Sequence, residues 1–286
     1  MEVYAYQGLM GLTQAMYLWL LAAGLTIAFG VLKILNFAHG ALFMLGAYFA
    51  VTIYGILGWP FWTAVPIAIA GTAVVGAILE RFFFRRIYHL DLPFQLLLTF
   101  GFVLVLDDLV KMVWGGMFIA PPIPDIFVGS TVIFGRPFPH YNLFILAMGV
   151  LTAVALWLLF DRTWWGKTVR AAAWSREMGG TLGLDVPRLF VIVFMIAAGL
   201  AALGGALSIP TRPVDTGMGT AMIVQAFIVT VIGGLGNLHG AFVGALIVGL
   251  LGAYSTMLFP GFELFLPYVV MALVLLFRPQ GLLGGR

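Results

Sequence analysis

Gly30-Val31-Leu32-Lys33-Ile34-Leu35-Asn36-Phe37-Ala38-His39-Gly40-Ala41 sets a cation, an amide and an imidazole between two apolar runs, Gly8 to Leu32 and Ile34 to Leu57. Each run exceeds the roughly 20 apolar residues that cross a bilayer as a helix. Comparable segments recur at Phe61 to Leu79, Leu92 to Phe118, Tyr141 to Phe160, Leu189 to Ile209, Ala221 to Leu235, Ala241 to Phe259 and Leu264 to Phe277. Of the 286 residues, 63% are hydrophobic and 9% charged, against about 25% charged in a soluble domain. The mean hydropathy is +1.11. A soluble enzyme is excluded. The expected fold is all-α, a polytopic membrane helical bundle formed by one transmembrane domain over residues 1–286, with about eight or nine spans.

The few charges decide the orientation. Arg81, Arg85 and Arg86 form one basic loop, and Arg162, Lys167, Arg170, Arg176 and Arg188 form another, while Arg278 and Arg286 close the chain. Positive charge collects on the cytoplasmic side. Counting spans from an external N-terminus puts all these clusters on that side, with the C-terminus. The proline-rich stretch Gly115 to His140 then falls outside. Met1 to Gln7 contains Glu2 and no Lys or Arg, so the first run lacks the basic n-region of a signal peptide and is expected to be retained. A net charge of +3 and a pI near 9.3 follow from these loops and do not indicate nucleic acid. Cysteine is absent, which excludes disulfides and thiolate metal sites.

The opening stretch has an echo. Asn36-Phe37-Ala38-His39-Gly40-Ala41 and Asn237-Leu238-His239-Gly240-Ala241 each follow a glycine-bearing apolar run and begin another. They suggest two weakly similar halves. Asn and His are costly at membrane depth unless they line a cavity or pair with freed backbone groups. Two readings stand. Either these are broken or re-entrant helices lining a substrate pathway, formed by Asn36, His39, Gly40, Asn237, His239 and Gly240, or they are cytoplasmic turns whose polar side chains cap the next helix. No His or carboxylate lies at helical ligand spacing from His39 or His239, so metal binding is not expected.

Asp107 and Asp108 are the other polar intrusion, and an unpaired acid at the bilayer centre costs about 2.5–3.5 kcal/mol on insertion scales. Lys111 follows at i+4 and i+3, which allows an ion pair on one helix face. The spacing from Leu92 puts the pair near the outer boundary. Small residues at Gly204 and Ser208, and at Gly240 and Gly244, permit close helix approach.

Residues 161–188 form the one long polar stretch on the inner side, a cytoplasmic loop within the domain. Thr168 to Met178 reads as a short helix with Ala171, Trp174, Ser175 and Met178 on one face. Gly179, Gly180 and Gly183 end it. Such a helix suits a groove on a partner or a place on the membrane surface.

Three patches together resemble the permease subunit of branched-chain amino acid ABC transporters, the high-affinity leucine/isoleucine/valine importer family. They are Ile34 to Gly40 with Met44-Leu45-Gly46-Ala47-Tyr48, the loop Gly166 to Asp185, and the C-terminal third with Val231-Ile232-Gly233-Gly234-Leu235-Gly236-Asn237, His239-Gly240 and Leu276 to Leu282. The resemblance implies an ABC importer permease fold in the bacterial inner membrane. It implies a second homologous permease subunit, two cytoplasmic ATPase subunits and a periplasmic substrate-binding protein as partners. It makes the inner loop a coupling helix, with Arg170, Ala171, Glu177, Gly183 and Leu184 matching the family's loop and Trp174 beside them. Gly179 and Ser175 depart from that loop's usual residues. No cofactor is expected on this chain, since it lacks the Gly-rich phosphate loop with Lys and Ser/Thr, and ATP is hydrolysed by the partner subunits.

Other classes are distinguishable. An ion-coupled secondary transporter would also show broken helices, but it needs a buried acid or cation site for coupling. A permease of the same family serving urea or short amides would differ in its receptor. An intramembrane enzyme finds no His-Glu-x-x-His or Gly-x-Ser-x-Gly.

Overall fold

The computed structural model describes residues 1–258, 260–262 and 265–284. Phe259 and Leu264, expected ends of apolar segments, and Arg286, expected in the last basic cluster, lie outside the described residues.

The chain forms α1 (Glu2–Leu32), α2 (Ala38–Ala50, continued as a π-helix over Val51–Ile56), α3 (Phe61–Phe82, followed by a 3-10 turn at Phe84–Ile87) and α4 (Leu92–Trp114). A small antiparallel hairpin, β1 (Ser130–Ile133) and β2 (Arg136–Pro139), then leads to α5 (His140–Trp157, with a π-helical turn over Leu158–Arg162). Next come α6 (Trp164–Trp174), α7 (Arg176–Thr181), α8 (Val186–Ser208), α9 (Met218–Gly233), α10 (Leu238–Leu258) and α11 (Leu266–Phe277). Among the described residues, 6 helices are long and apolar enough to cross a membrane: α1, α2, α3, α5, α8 and α10, several with their continuations. The 23-residue α4 carries Asp107, Asp108 and Lys111. The helices α9 and α11 are apolar but shorter, at 16 and 12 residues. Every expected apolar segment coincides with one of these helices.

The helix α1 is apolar on all sides, which suits a helix surrounded by protein. It packs against α10, α8, α9 and α5, and 89% of its most apolar window is buried. By contrast α3, α5 and α10 bury 33%, 28% and 39% of theirs, leaving apolar faces outward as lipid-facing helices do. With α8 and α2 also mostly buried, at 78% and 67%, the bundle has an inner group of helices and a lipid-facing ring.

Its two ends differ in chemistry. At one, Tyr6 donates to the Pro137 carbonyl at 3.0 Å and Tyr54 to that of Pro122 at 3.1 Å. There Ile119 and Val214 exchange backbone hydrogen bonds that tie the proline-rich segment to the α8–α9 link. At the other, the basic face, Arg85 donates to the Pro187 carbonyl at 3.1 Å, joining the first basic loop to the second. The tail following α11 returns there too, where Leu282 and Leu283 donate to the Ile232 and Gly233 carbonyls that α9 leaves open at its end.

Two expectations are corrected, and the all-α fold gains one detail. The segment beginning at Ile34 does not start as helix: residues 34–37 are non-helical and α2 starts at Ala38. The helix expected over Thr168 to Met178 is two helices, because Ser175 adopts an extended conformation (φ −144°, ψ 113°) and accepts from Met178 N at 3.2 Å. A Ser that caps the next helix ends the previous one. The hairpin is a small addition that leaves the all-α fold as expected; the positive φ of Gly135 suits its turn.

Glycines fix the crossings. A Cβ on Gly205 of α8 would collide with the Phe43 carbonyl of α2, and one on Gly46 would meet the Ala202 backbone. Gly240 and Gly244 lie against the Gly233 and Val229 carbonyls, so α9 and α10 touch backbone to backbone. Small residues permit such approach in membranes. Gly205→Val should lower the detergent thermal midpoint sharply, exceeding the usual overpacking cost of about 1–3 kcal/mol. Gly101→Ala, where a Cβ meets open space, should leave it unchanged or raise it.

Candidate functional site

The first Asn/His element turns back into the bundle. Lys33 ends α1 in the left-handed region (φ 59°, ψ 32°), its N–H donating to the Phe29 carbonyl at 3.0 Å. This αL cap reverses the chain. Ile34 and Asn36 are then buried at 3% and 1% exposure, and Thr99 of α4 donates to the Leu35 carbonyl at 3.4 Å. The segment carries the start of α2 inside the bundle, where Ala38, His39 and Gly40 are buried. His39 is wholly buried, with Nε2 3.2 Å from the Leu21 carbonyl. Leu21 stands about 16 Å back along α1 from Leu32 at 1.5 Å per residue. Because a carbonyl only accepts, Nε2 carries the proton.

Gly24 makes room for this contact. A Cβ there would lie 2.8 Å from His39 Nε2 and 2.6 Å from the Ala197 carbonyl. Gly40 lies against the Gly219 carbonyl of α9, and Phe37 packs on Phe227 with ring centroids 4.9 Å apart. The side-chain N and O of Asn36 and the His39 Nδ1 are buried without a hydrogen-bond partner. Unpaired polar groups at such depth are costly.

The second element is different. Gly234 and Gly236, at φ 113° and 83°, turn the chain after α9, with Gly236 against Gly30 of α1. Asn237 caps α10, Oδ1 accepting from Gly240 N at 3.0 Å, and its amide also donates to the Leu283 carbonyl. The His239 side chain is 61% exposed and lies 3.3 Å from Asp161 Oδ2. Asp161 also pairs with Arg170 at 2.9 Å. Thus Asn237 and His239 form a surface turn on the basic face beside Arg170, while Asn36, His39 and Gly40 lie within the bundle. The structure does not bring the two elements into one lining.

Instead it gathers Arg170 and Trp174 with Asn237 and His239 around a cavity of about 570 Å³ between the ends of α1 and α6 and the start of α10, also lined by Lys33 and Asp161. Beyond it, α6 and α7 present Ala171, Trp174, Glu177 and Met178 to the exterior, with Trp174 91% exposed. Gly183 (φ 82°) makes the turn after α7, and Leu184 N donates to the Gly179 carbonyl at 3.1 Å. Thr163 and Asp185 cap α6 and α8 by accepting from Gly166 N and Arg188 N.

Sequence reasoning missed a further cluster on this face. Glu80 of α3 is wholly buried, accepting from the Tyr88 hydroxyl at 2.7 Å with Arg85 3.8 Å away. Burial first, and then the Glu80 carboxylate, push the Tyr88 hydroxyl above its ordinary pKa. Arg176 lies over the Tyr88 and Phe190 rings. An acid at the end of an apolar span beside several arginines was the available signal. At the opposite end Lys111 pairs with Asp108 at 3.1 Å, both side chains at least half exposed, as the i+3 spacing allows.

Burial separates the two histidines energetically. His39→Ala should empty a packed site and cost about 2–4 kcal/mol, whereas His239→Ala should cost under about 1 kcal/mol, as exposed ion pairs do. Denaturation midpoints of the purified variants check this ordering.

A family model described as branched-chain amino acid transport system / permease component matches residues 8–275. The high-affinity branched-chain amino acid transport system permease protein BraD of Pseudomonas aeruginosa is 28% identical, over 99% of this chain and 97% of that relative. LivH of Escherichia coli, described in the same words, is 28% identical over 93% of this chain and 90% of its own length. Among solved structures, PsaBC from Streptococcus pneumoniae in complex with Fab aligns with TM-score 0.53 and 12% identity, covering 95% of this chain and 91% of that one. At that identity the likeness concerns the fold alone.

Proposed function

Because the chain belongs to the permease family of branched-chain amino acid transport systems, we propose that it is the translocation subunit of a binding-protein-dependent ABC importer for branched-chain amino acids. In this reading the basic face is cytoplasmic, the N-terminus lies outside, and the chain works in the bacterial inner membrane. Its partners are a second homologous permease, two cytoplasmic ATPase subunits and a periplasmic receptor. The chain carries no phosphate-binding loop of its own, so hydrolysis belongs to the partners. The substrate follows the names of the relatives, and the receptor does most of the selecting.

The observation that carries the reading is the α6–α7 unit. It projects from the basic face with Ala171 and Glu177 exposed, and Trp174, Met178 and Leu182 at 91%, 62% and 73% exposure. Apolar side chains so exposed outside the bundle suit a cleft on another protein. Arg170, meanwhile, faces back to Asp161, so that one side of α6 is anchored and the other is free to dock.

Ala171→Glu should place a charge within the docking face and reduce ATP-driven uptake at least about tenfold, the loss expected when a buried charge is left unpaired at an interface. The measurement is uptake into proteoliposomes with receptor and ATPases present and the ion gradient collapsed. Normal uptake by Ala171→Glu would overturn the docking role. Titration of the receptor with leucine, urea and small amides should show leucine binding tightest; preference for an amide would overturn the substrate.

A further inference from the structure

We infer that Arg176 is a positioning residue that links the α6–α7 unit to the chain reversal at Lys33, and through it to the buried start of α2. The inference rests on the coupling role proposed for α6–α7. Arg176 is the first residue of α7, next to the Ser175 break, so it moves with the second of the two docking helices. Its Nη2 donates to the Leu32 carbonyl at 2.8 Å. Leu32 is the last residue of α1, and its carbonyl is one of those a helix leaves without an internal partner. The next residue, Lys33, is the left-handed cap from which residues 34–37 run to His39.

The guanidinium is held in place. It lies 4.6 Å from the Tyr88 ring centroid and 5.0 Å from that of Phe190, and Tyr88 is fixed in turn by its 2.7 Å hydrogen bond to Glu80. A planar cation over two rings that themselves meet edge-on, with centroids 5.8 Å apart, has fewer orientations than an ammonium on a flexible stem. Beside it lies a cavity of about 310 Å³, bordered by Tyr88, Gly180 and Leu184 and by Val186 and Phe190 of α8, which gives α7 space to shift along α8. By contrast α6 is tied through Arg170 and Asp161 to His239 at the start of α10. A displacement of α7 therefore acts on Leu32 and Lys33, where the chain leaves α1 for the interior. A hydrogen bond to a helix-terminal carbonyl, fixed by two rings, can bias such a two-position element.

The native chain has no cysteine, so a single Lys33→Cys reports the reversal. In the full complex with receptor and ATPases, its labelling by a membrane-impermeant maleimide should change between the resting and vanadate-trapped states. Arg176→Gln should co-purify with the ATPases normally and hydrolyse ATP within about twofold of the parent. Its uptake per ATP should fall about tenfold, near the upper range of coupling changes from single positions, and the Lys33→Cys labelling change should disappear. Arg176→Lys, which keeps the charge without the planar stacking, should lose roughly two- to fivefold. Arg188→Gln, altering an 84% exposed side chain, should match the parent.

Parental uptake per ATP together with parental labelling in Arg176→Gln would overturn the inference. Loss of ATPase co-purification in both Arg176 variants would also overturn it, by reducing Arg176 to a structural role. If Arg176→Gln does not accumulate, Arg176→Lys decides by the same two readouts. A parental chain that binds no ATPase would instead refute the coupling reading itself.

Discussion

Non-helical backbone at membrane depth is tolerated only where protein, not lipid, surrounds it. Residues 34–37 are such a segment, and much of the bundle can be understood as the housing they require. The helix α1 is enclosed by α10, α8, α9 and α5, α4 reaches the Leu35 carbonyl through Thr99, and α9 closes against Gly40. Their shared result is a buried turn that ends with an imidazole on a mid-helix carbonyl. In lipid the same turn would expose several unpaired peptide groups, each costing several kcal/mol.

Close helix approach follows from that requirement. Gly24 admits His39 and the Ala197 carbonyl, and Gly205 and Gly46 bring α2 against α8. Lipid tails are as apolar as the side chains, so burial alone supplies little drive between helices, and contact quality decides the packing. This accounts for glycines at interhelical backbone contacts, while Gly101, on the outer α4, meets nothing. The C-terminal tail meets a related need, supplying N–H donors to the open carbonyls of α9.

The basic face is where these constraints meet the proposed function. Two anchors hold the α6–α7 unit: Arg170 with Asp161 and His239 on one helix, and Arg176 with Leu32 on the next. They lead to the two Asn/His elements, one a surface cap and the other a reversal into the interior. The repeat in the sequence therefore marks two places where the loop unit meets the bundle, with different geometry at each.

Much of this was legible from the residues. The apolar segments and the basic clusters located the helices and the shared face, because length, hydropathy and charge act locally. The Asp108–Lys111 pair followed from spacing alone, and the three patches carried the family resemblance. Other features depended on distant partners. The likeness of Asn36-Phe37-Ala38-His39 to Asn237-Leu238-His239 did not reveal that one is buried and the other exposed, since that depends on whether Lys33 turns the chain inward and on the room Gly24 leaves for an imidazole. Nor could spacing show that Ser175 would divide a helix, or that Glu80, Tyr88 and Arg176 would meet from three separate stretches. The sequence by itself determined which segments enter the membrane and which charges stay out; only the tertiary structure decided which polar residues lie inside the bundle, because the partners that bury them come from elsewhere in the chain.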